Sequence, residues 1–221
     1  MTVDRIRDAL ALMVADPAAT GGLWLRGRAG PLRDRVLAAL APLGARRLPP
    51  GTDEAALSGG LDLAPTLAQG RAVWRPGLLD RPGVLILPMA ERCPAGLAAR
   101  LAQAMDAGSH TLIALDESAG PDDALPAALA DRLGLFVDLD GLSAADLRDL
   151  APPAAPVADA APANLPPDAV AQVVALADRL GVMGPRGVLA TLAAARGLAR
   201  AEGRAQATDR DLARAAALTL A

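Results

Sequence analysis

The sequence predicts an α/β protein, in which a parallel β-sheet with flanking helices is followed by a smaller all-helical domain. Two features of the 221-residue chain indicate this class. Up to residue 150, short apolar runs alternate with stretches of helical periodicity, which is typical of a layered α/β fold. After a proline- and alanine-rich segment, only helical patterns follow.

Five apolar runs are the predicted strands of this sheet. In chain order they are residues 22–25, a weaker run at 46–48, and then 84–87, 111–115 and 135–137. Proline is favourable in the first turn of a helix. We therefore predict one helix from Pro31 to near Leu40 and another from Pro94 to Met105.

The chain is predicted to divide into three parts. An α/β domain spans residues 1–150, a linker 151–167 and a helical domain 168–221. The linker reads APPAAPVADAAPANLPP and shows no helical or strand period. The last part contains three predicted helices, at 168–180, 187–201 and 208–218. Thr208 is the predicted N-cap of the third, with Asp211 as its partner three residues later.

The composition limits the functions that the chain can have. All 22 basic residues are arginines, so lysine chemistry is excluded. A net charge of −3 provides no basic surface for nucleic acid. The single cysteine indicates a reducing compartment, and no apolar run approaches the roughly 20 residues of a membrane helix. We expect a cytoplasmic protein that neither binds nucleic acid nor inserts into a membrane.

One glycine-containing turn has the setting of a phosphate-binding loop. The stretch GRAGPLRDRVLAAL, which starts at Gly27 and includes Gly30, follows the first predicted strand and opens a helix. A working loop places glycine, lysine and a Ser/Thr hydroxyl where the phosphates and Mg²⁺ bind. This chain has Leu32, Arg33 and Asp34 instead. We interpret the turn as a former phosphate loop that no longer cradles a nucleotide; an ordinary glycine-rich turn is the alternative.

The order of these features resembles that of AAA+ ATPases, and three segments resemble the AAA+ subunits of magnesium chelatase. The segments are GGLDLAPTLAQGRAVWRPGLLDRPGVLIL at 59–87, ALPAALADRLGLFVDLDGL at 124–142, and GPRGVLATLAAARGLARAEGRAQATDRDLARAAALTL from Gly184. The resemblance covers nearly all of the chain and is weakest at 41–58 and 151–164. It implies an AAA+ base domain followed by a helical lid.

The resemblance implies that two further parts of the nucleotide site are lost. The strand at 84–87 should end in Asp-Glu, which holds Mg²⁺ and activates water, but Pro88-Met89 follows and Glu91 lies beyond the required place. The strand at 111–115 should precede a polar sensor, usually Asn, where this chain has Asp116-Glu117-Ser118. We therefore predict that the chain does not hydrolyse ATP and binds no cofactor or metal tightly.

Two arginines match functional positions of the family. Arg132 matches the arginine finger, which reaches across a subunit interface and stabilises a transferring phosphoryl group. Arg186 matches the lid arginine called sensor 2, and a salt bridge between lid and base is its alternative role. Arg132 is thus the predicted catalytic residue in trans. The predicted remnant of the nucleotide site comprises Gly27, Gly30, Arg33, Asp34 and Arg186.

In the groups that its nucleotide site lacks, the chain resembles the D subunits of magnesium chelatase more than the I subunits, which are the active ATPases. The resemblance implies a hetero-oligomeric ring with the I subunit, with ATP and Mg²⁺ bound on that partner, and contact with the large porphyrin-binding subunit. That complex inserts Mg²⁺ into protoporphyrin IX in (bacterio)chlorophyll biosynthesis. D subunits usually continue into an integrin-like domain, so we expect this chain to be a fragment or a short form.

Two other functions stay open at this point. One is a clamp-loader-like adaptor, which also uses degenerate AAA+ subunits. The other is a stand-alone AAA+ nucleotidase, which the altered nucleotide site disfavours.

Overall fold

In a computed structural model that describes residues 2–48, 51–118, 120, 123–153 and 163–220, the chain forms a five-stranded parallel sheet with helices on both faces. The sheet has the order β2-β5-β6-β1-β7, and β3 and β4 form a separate antiparallel pair. The strands are β1 Gly22–Arg26, β2 Arg46–Arg47, β3 Gly60–Leu61, β4 Trp74–Arg75, β5 Gly83–Leu87, β6 His110–Asp116 and β7 Leu135–Asp138.

Among the described residues, six helices precede or alternate with the strands, and three follow the last strand in the sequence. They are α1 Val3–Ala15, α2 Pro31–Ala39, α3 Glu54–Ser58, α4 Leu63–Gln69, α5 Ala95–Asp106, α6 Ala127–Ala130, α7 Ala169–Arg179, α8 Pro185–Ala201 and α9 Asp209–Thr219. Short 3-10 helices lie at Ala41–Leu43, Leu78–Asp80 and Ala90–Arg92.

The predicted fold class is confirmed, and so are the predicted elements, each within two residues of its observed bounds. The segment that forms α3, β3, α4 and β4 was not predicted as regular structure. Residues 154–162 of the predicted linker lie outside the described residues. The division into base, linker and lid therefore stays a prediction.

Alternating side chains of the strands build two apolar layers, one on each face of the sheet. Leu23 and Leu25 of β1 contribute to one layer together with Ile113 of β6, whereas Leu112 and Ala114 of β6 belong to the other. This alternation follows from the two-residue period of a strand. Because helices cover both faces, β6 is buried along its whole length, which is usual for a parallel strand.

The C-terminal helices pack against α1 on one face of the sheet. A Cβ atom at Gly197 of α8 would lie 2.4 Å from Leu12 Cδ2, so α8 approaches α1 closely there and a larger residue would displace the Leu12 side chain. Arg214 of α9 donates from Nε to Asp8 Oδ2 at 3.0 Å and from an Nη to Asp8 Oδ1 at 2.6 Å. These contacts fix α8 and α9 to the N-terminal helix.

The N-cap prediction for α9 is confirmed. Thr208 accepts a hydrogen bond from the Asp211 N–H, and the Asp211 carboxylate accepts one from the Thr208 N–H at 2.8 Å. Asp211 is only 1% exposed, and both terminal nitrogens of Arg204 donate to it at 2.8 Å. Burial raises the pKa of Asp211, but the hydrogen bonds from Arg204 and Thr208 outweigh burial and lower it to about 2.

Replacement of Asp211 by Asn is expected to lower the free energy of unfolding by about 2 kcal/mol at pH 7. The pKa is lowered in the folded state, so the stabilisation is complete above the usual pKa of 3.8 and is lost as the pH falls towards 2. Urea unfolding of both proteins between pH 7 and pH 3 measures the difference. The exposed Asp178→Asn is the matched control; an equal effect of both substitutions would contradict the assignment.

Candidate functional site

The predicted phosphate loop lies where the carboxyl ends of the parallel strands meet. It connects β1 to α2, and its Gly27 N–H donates to the Asp116 carbonyl at the end of β6, at 2.9 Å. Gly27 and Gly30 have φ angles of 152° and 155°. Residues with a Cβ rarely adopt these angles, so both positions favour glycine. The strand, turn and helix around the loop are therefore as predicted.

The space around this loop holds an internal ion pair. The side chain of Arg33 is 7% exposed, and its Nη1 donates to Glu117 Oε1 at 2.6 Å and to the Gly27 carbonyl at 3.3 Å. Leu32 packs against the apolar core, and Asp34 is exposed. The one buried cation of the loop is thus neutralised by a carboxylate of the same chain.

The segment that carries Glu117 is itself held by hydrogen bonds. The Glu117 N–H donates to Glu91 Oε2 at 3.2 Å, and the Glu91 side chain is 3% exposed. Met89, in a left-handed conformation with φ 48°, directs the chain after β5 so that Glu91 reaches this position. Asp116 is buried and accepts hydrogen bonds from Trp24 Nε1 at 2.7 Å and from the Ser118 N–H at 2.8 Å.

The open space beside the loop is small. A cavity of about 190 Å³ lies there, and small-molecule sites usually measure at least about 300 Å³. Its lining consists of Arg26, Gly27, Arg28, Glu117, Ser118 and Asp140. Within the described ranges, no three His, Cys, Asp or Glu side chains are arranged to hold a metal ion.

Arg132 and Arg186 lie together at the amino ends of the strands, on the opposite side of the sheet from the predicted phosphate loop. Arg132 is in the turn that precedes β7, and Asp106 ends α5 shortly before β6, so both belong to the amino ends of the strands. Arg186 lies in the first turn of α8 and forms ion pairs with Asp106 at 3.2 Å and Asp131 at 2.5 Å. These contacts match the alternative role of Arg186, a salt bridge to the base.

The grouping of Arg186 with the phosphate loop is therefore corrected. The structure brings Gly27, Gly30, Arg33 and Asp34 together after β1 but places Arg186 beside Arg132. The reason is the packing of α8 against α1 and α9, which brings the start of α8 to the amino ends of the strands. Such long-range packing leaves no local pattern in the sequence.

The Arg132 side chain is held by three hydrogen bonds and is 19% exposed. Its Nε donates to Asp106 Oδ1 at 2.9 Å, one terminal nitrogen donates to Asp106 Oδ2 at 2.5 Å, and the other donates to the Ala128 carbonyl at 2.7 Å. The hydrogen bond with Asp106 raises the pKa of Arg132, and it lowers the pKa of Asp106. A cavity of about 310 Å³, also lined by Met183, opens beside these groups.

Sequence reasoning missed both carboxylates of this cluster. Asp131 directly precedes Arg132 in the sequence, and adjacency alone did not indicate a contact with Arg186. Asp106 is the last residue of α5, where the helix dipole disfavours a negative charge. An acid at that position was a signal that a cation from elsewhere lies close to it.

Comparisons with known proteins agree with these features. Residues 170–221 match the family model of the AAA lid domain. The whole chain aligns with the magnesium-chelatase 60 kDa subunit of Rhodobacter capsulatus at 49% sequence identity. The aligned region covers 41% of that subunit. The chain also aligns over 99% of its length with the subunit of that name from Cereibacter sphaeroides, at 49% sequence identity. This alignment covers 40% of the Cereibacter subunit.

The chain has the fold of an AAA+ module and is homologous to part of the magnesium-chelatase 60 kDa subunits. It spans about two fifths of the length of these chelatase relatives. The crystal structure of a candidate ATPase from Cytophaga hutchinsonii superposes with a TM-score of 0.67 over 98% of this chain and 84% of the other. At 13% identity this likeness shows the fold alone. Among the described residues of this chelatase homologue, no helix is long and apolar enough to cross a membrane.

Replacement of Glu117 by Gln is expected to lower the free energy of unfolding by about 2 kcal/mol, because Arg33 would stay buried without its counter-charge. The double variant Arg33→Met/Glu117→Gln should recover most of this loss, since it removes the buried cation as well. Urea unfolding of the wild type, both single variants and the double variant measures the coupling. Additive effects of the two substitutions would show that the ion pair does not contribute as described.

Proposed function

We propose that the chain is a non-hydrolysing AAA+ subunit of magnesium chelatase that corresponds to the D subunit. In this proposal it works in the cytoplasm, where it assembles with the ATPase I subunit in a hetero-oligomeric ring. The ring supports ATP-driven insertion of Mg²⁺ into protoporphyrin IX, on the large porphyrin-binding subunit, during (bacterio)chlorophyll biosynthesis. Residues 1–150 serve as the base, 151–167 as the linker and 168–221 as the lid. The observation that carries the proposal is the buried Arg33–Glu117 ion pair in a chelatase homologue.

Three observations support the absence of hydrolysis. Hydrolysis requires groups that hold the phosphates, hold Mg²⁺ and orient the attacking water. Arg33 already pairs with Glu117, and the exposed carboxylate of Asp34 would repel a phosphate. Pro88-Met89 follows β5, and Glu91, the nearest acid beyond that strand, accepts a hydrogen bond from the backbone of the next strand's loop.

The position of Arg132 supports a role at a neighbouring subunit's nucleotide. A guanidinium has five N–H donors, of which Asp106 and Ala128 engage three. The remaining two have no acceptor among the described residues, and Arg132 lines the cavity beside Arg186 from which an anion would approach. A positive charge supplied in this way stabilises the negative charge of a transferring phosphoryl group. ATP and Mg²⁺ are thus bound by the partner, and this chain contributes the arginine.

The purified chain alone is expected neither to hydrolyse ATP nor to bind it at millimolar concentration, because Arg33 is buried and its charge is already paired with Glu117. Phosphate release and titration with a fluorescent ATP analogue measure these properties. The I subunit from the same organism, assayed in parallel, is the positive control. Steady turnover by this chain alone would contradict the proposal and favour a stand-alone nucleotidase.

Replacement of Arg132 by Ala is expected to lower ATP turnover at the interfaces that this chain forms with the I subunit, by a factor on the order of 10³. Turnover of the reconstituted mixture measures the effect, and size-exclusion chromatography shows whether the assembly persists. The exposed Arg148→Ala is the matched control and should leave turnover unchanged. Unchanged turnover with Arg132→Ala would rule out the role in trans. Stimulation of the ATP turnover of the mixture by added DNA would favour a clamp-loader-like adaptor instead.

A further inference from the structure

The Asp106 carboxylate lies between two arginines that come from different parts of the chain. Arg132 approaches from the turn before β7, and Arg186 approaches from the start of α8. We propose that Asp106 is a positioning residue for Arg132 and that Arg186 supports Asp106 from the helical lid. This inference rests on the proposed role of Arg132 in trans.

The geometry of the Asp106–Arg132 contact is suited to orientation. Asp106 accepts through both oxygens, from Nε and one terminal nitrogen of Arg132. This two-point contact fixes the plane of the guanidinium as well as its position. The Ala128 carbonyl accepts from the other terminal nitrogen, so the group is held at a second side. Two of its N–H donors are left without an acceptor among the described residues.

Orientation in advance favours catalysis by a donated arginine. A free arginine side chain samples many rotamers, and their loss opposes any contact that it forms. A guanidinium that is already fixed does not lose this freedom when the neighbour's phosphoryl group becomes more negative. The 19% exposure of Arg132 is consistent with a side chain that is held but still reachable.

Arg186 links this arrangement to the lid. The Asp106 charge lies at the C-terminal end of α5, where the helix dipole opposes it, and Arg186 offsets that effect from the start of α8. Arg186 also pairs with Asp131, the residue next to Arg132. Asp131 in turn lies 4.0 Å from a terminal nitrogen of Arg132, so a shift of α8 relative to the sheet would change the support of Arg132 from both acids at once.

The test uses the full chain reconstituted with the I subunit and compares Asp106→Asn with the wild type. We expect kcat for ATP hydrolysis to fall about tenfold through misplacement of the guanidinium. KM for ATP should not change, because Asp106 does not touch the nucleotide. Asp106→Glu, which keeps the carboxylate, should recover part of the activity, and Arg186→Ala should lower kcat about threefold.

The matched control is Glu54→Gln. Glu54 forms an exposed ion pair with Arg100 and contacts neither Arg132 nor Arg186, so its loss should leave kcat and KM unchanged. The decisive comparison is made in the Arg132→Ala background, where Asp106→Asn should have no further effect because Asp106 acts through Arg132.

Each other result has a distinct meaning. A tenfold fall in both backgrounds, or loss of co-elution with the I subunit, would show that Asp106 is structural and would overturn the inference. Unchanged kcat with Asp106→Asn, while Arg132→Ala still lowers it, would overturn the inference and leave the proposed function standing. Unchanged turnover with Arg132→Ala itself would overturn both.

Discussion

The buried guanidinium of Arg33 constrains which residues can lie near it at the carboxyl ends of the strands. A charge removed from water must be neutralised nearby, since an unpaired buried ion is strongly unfavourable. Glu117 meets this requirement at 2.6 Å, and its backbone is in turn fixed by Glu91. Trp24 and Asp116 complete the connection between β1 and β6. These contacts form an internal polar network that joins two strands and a helix beside the glycine-containing turn.

Arginine–carboxylate ion pairs lie at both ends of the strands, and they differ in how deeply they are buried. At the carboxyl edge, Arg33 is almost fully covered, so its ion pair cannot be exchanged for another partner without leaving a charge unpaired. At the amino edge, Asp106, Asp131 and Arg186 are each close to half exposed, and water can solvate any charge that is released. The first pair stabilises a closed site. In the second cluster the charges of Asp106, Asp131 and Arg186 are partly solvated, so each ion pair there contributes less to stability.

Local patterns predicted most of the fold and only part of the site. The strand β6 and the helix that begins at Pro31 were predictable because apolar runs and a first-turn proline act over a few residues. The Arg33–Glu117 pair joins residues 84 positions apart, and no local pattern reports such a contact. Glu91 was set aside on spacing alone, although the left-handed turn at Met89 brings it to the site. The segment from α3 to β4 was missed because its elements are short and largely exposed.

The proposed function has a consequence for stability, because a chain that binds no nucleotide obtains from its own side chains the stability that a bound ligand would otherwise give. Binding stabilises only the folded state, so its loss lowers the free energy of unfolding unless internal contacts replace it. Arg33 and Glu117 supply one such contact, and Arg214 supplies another by joining α9 to α1 through Asp8. These contacts do not depend on ATP. In the proposed assembly, therefore, the cluster around Arg132 is presented to the partner in every step of the partner's ATP cycle, and the timing of hydrolysis is set by the partner's own nucleotide.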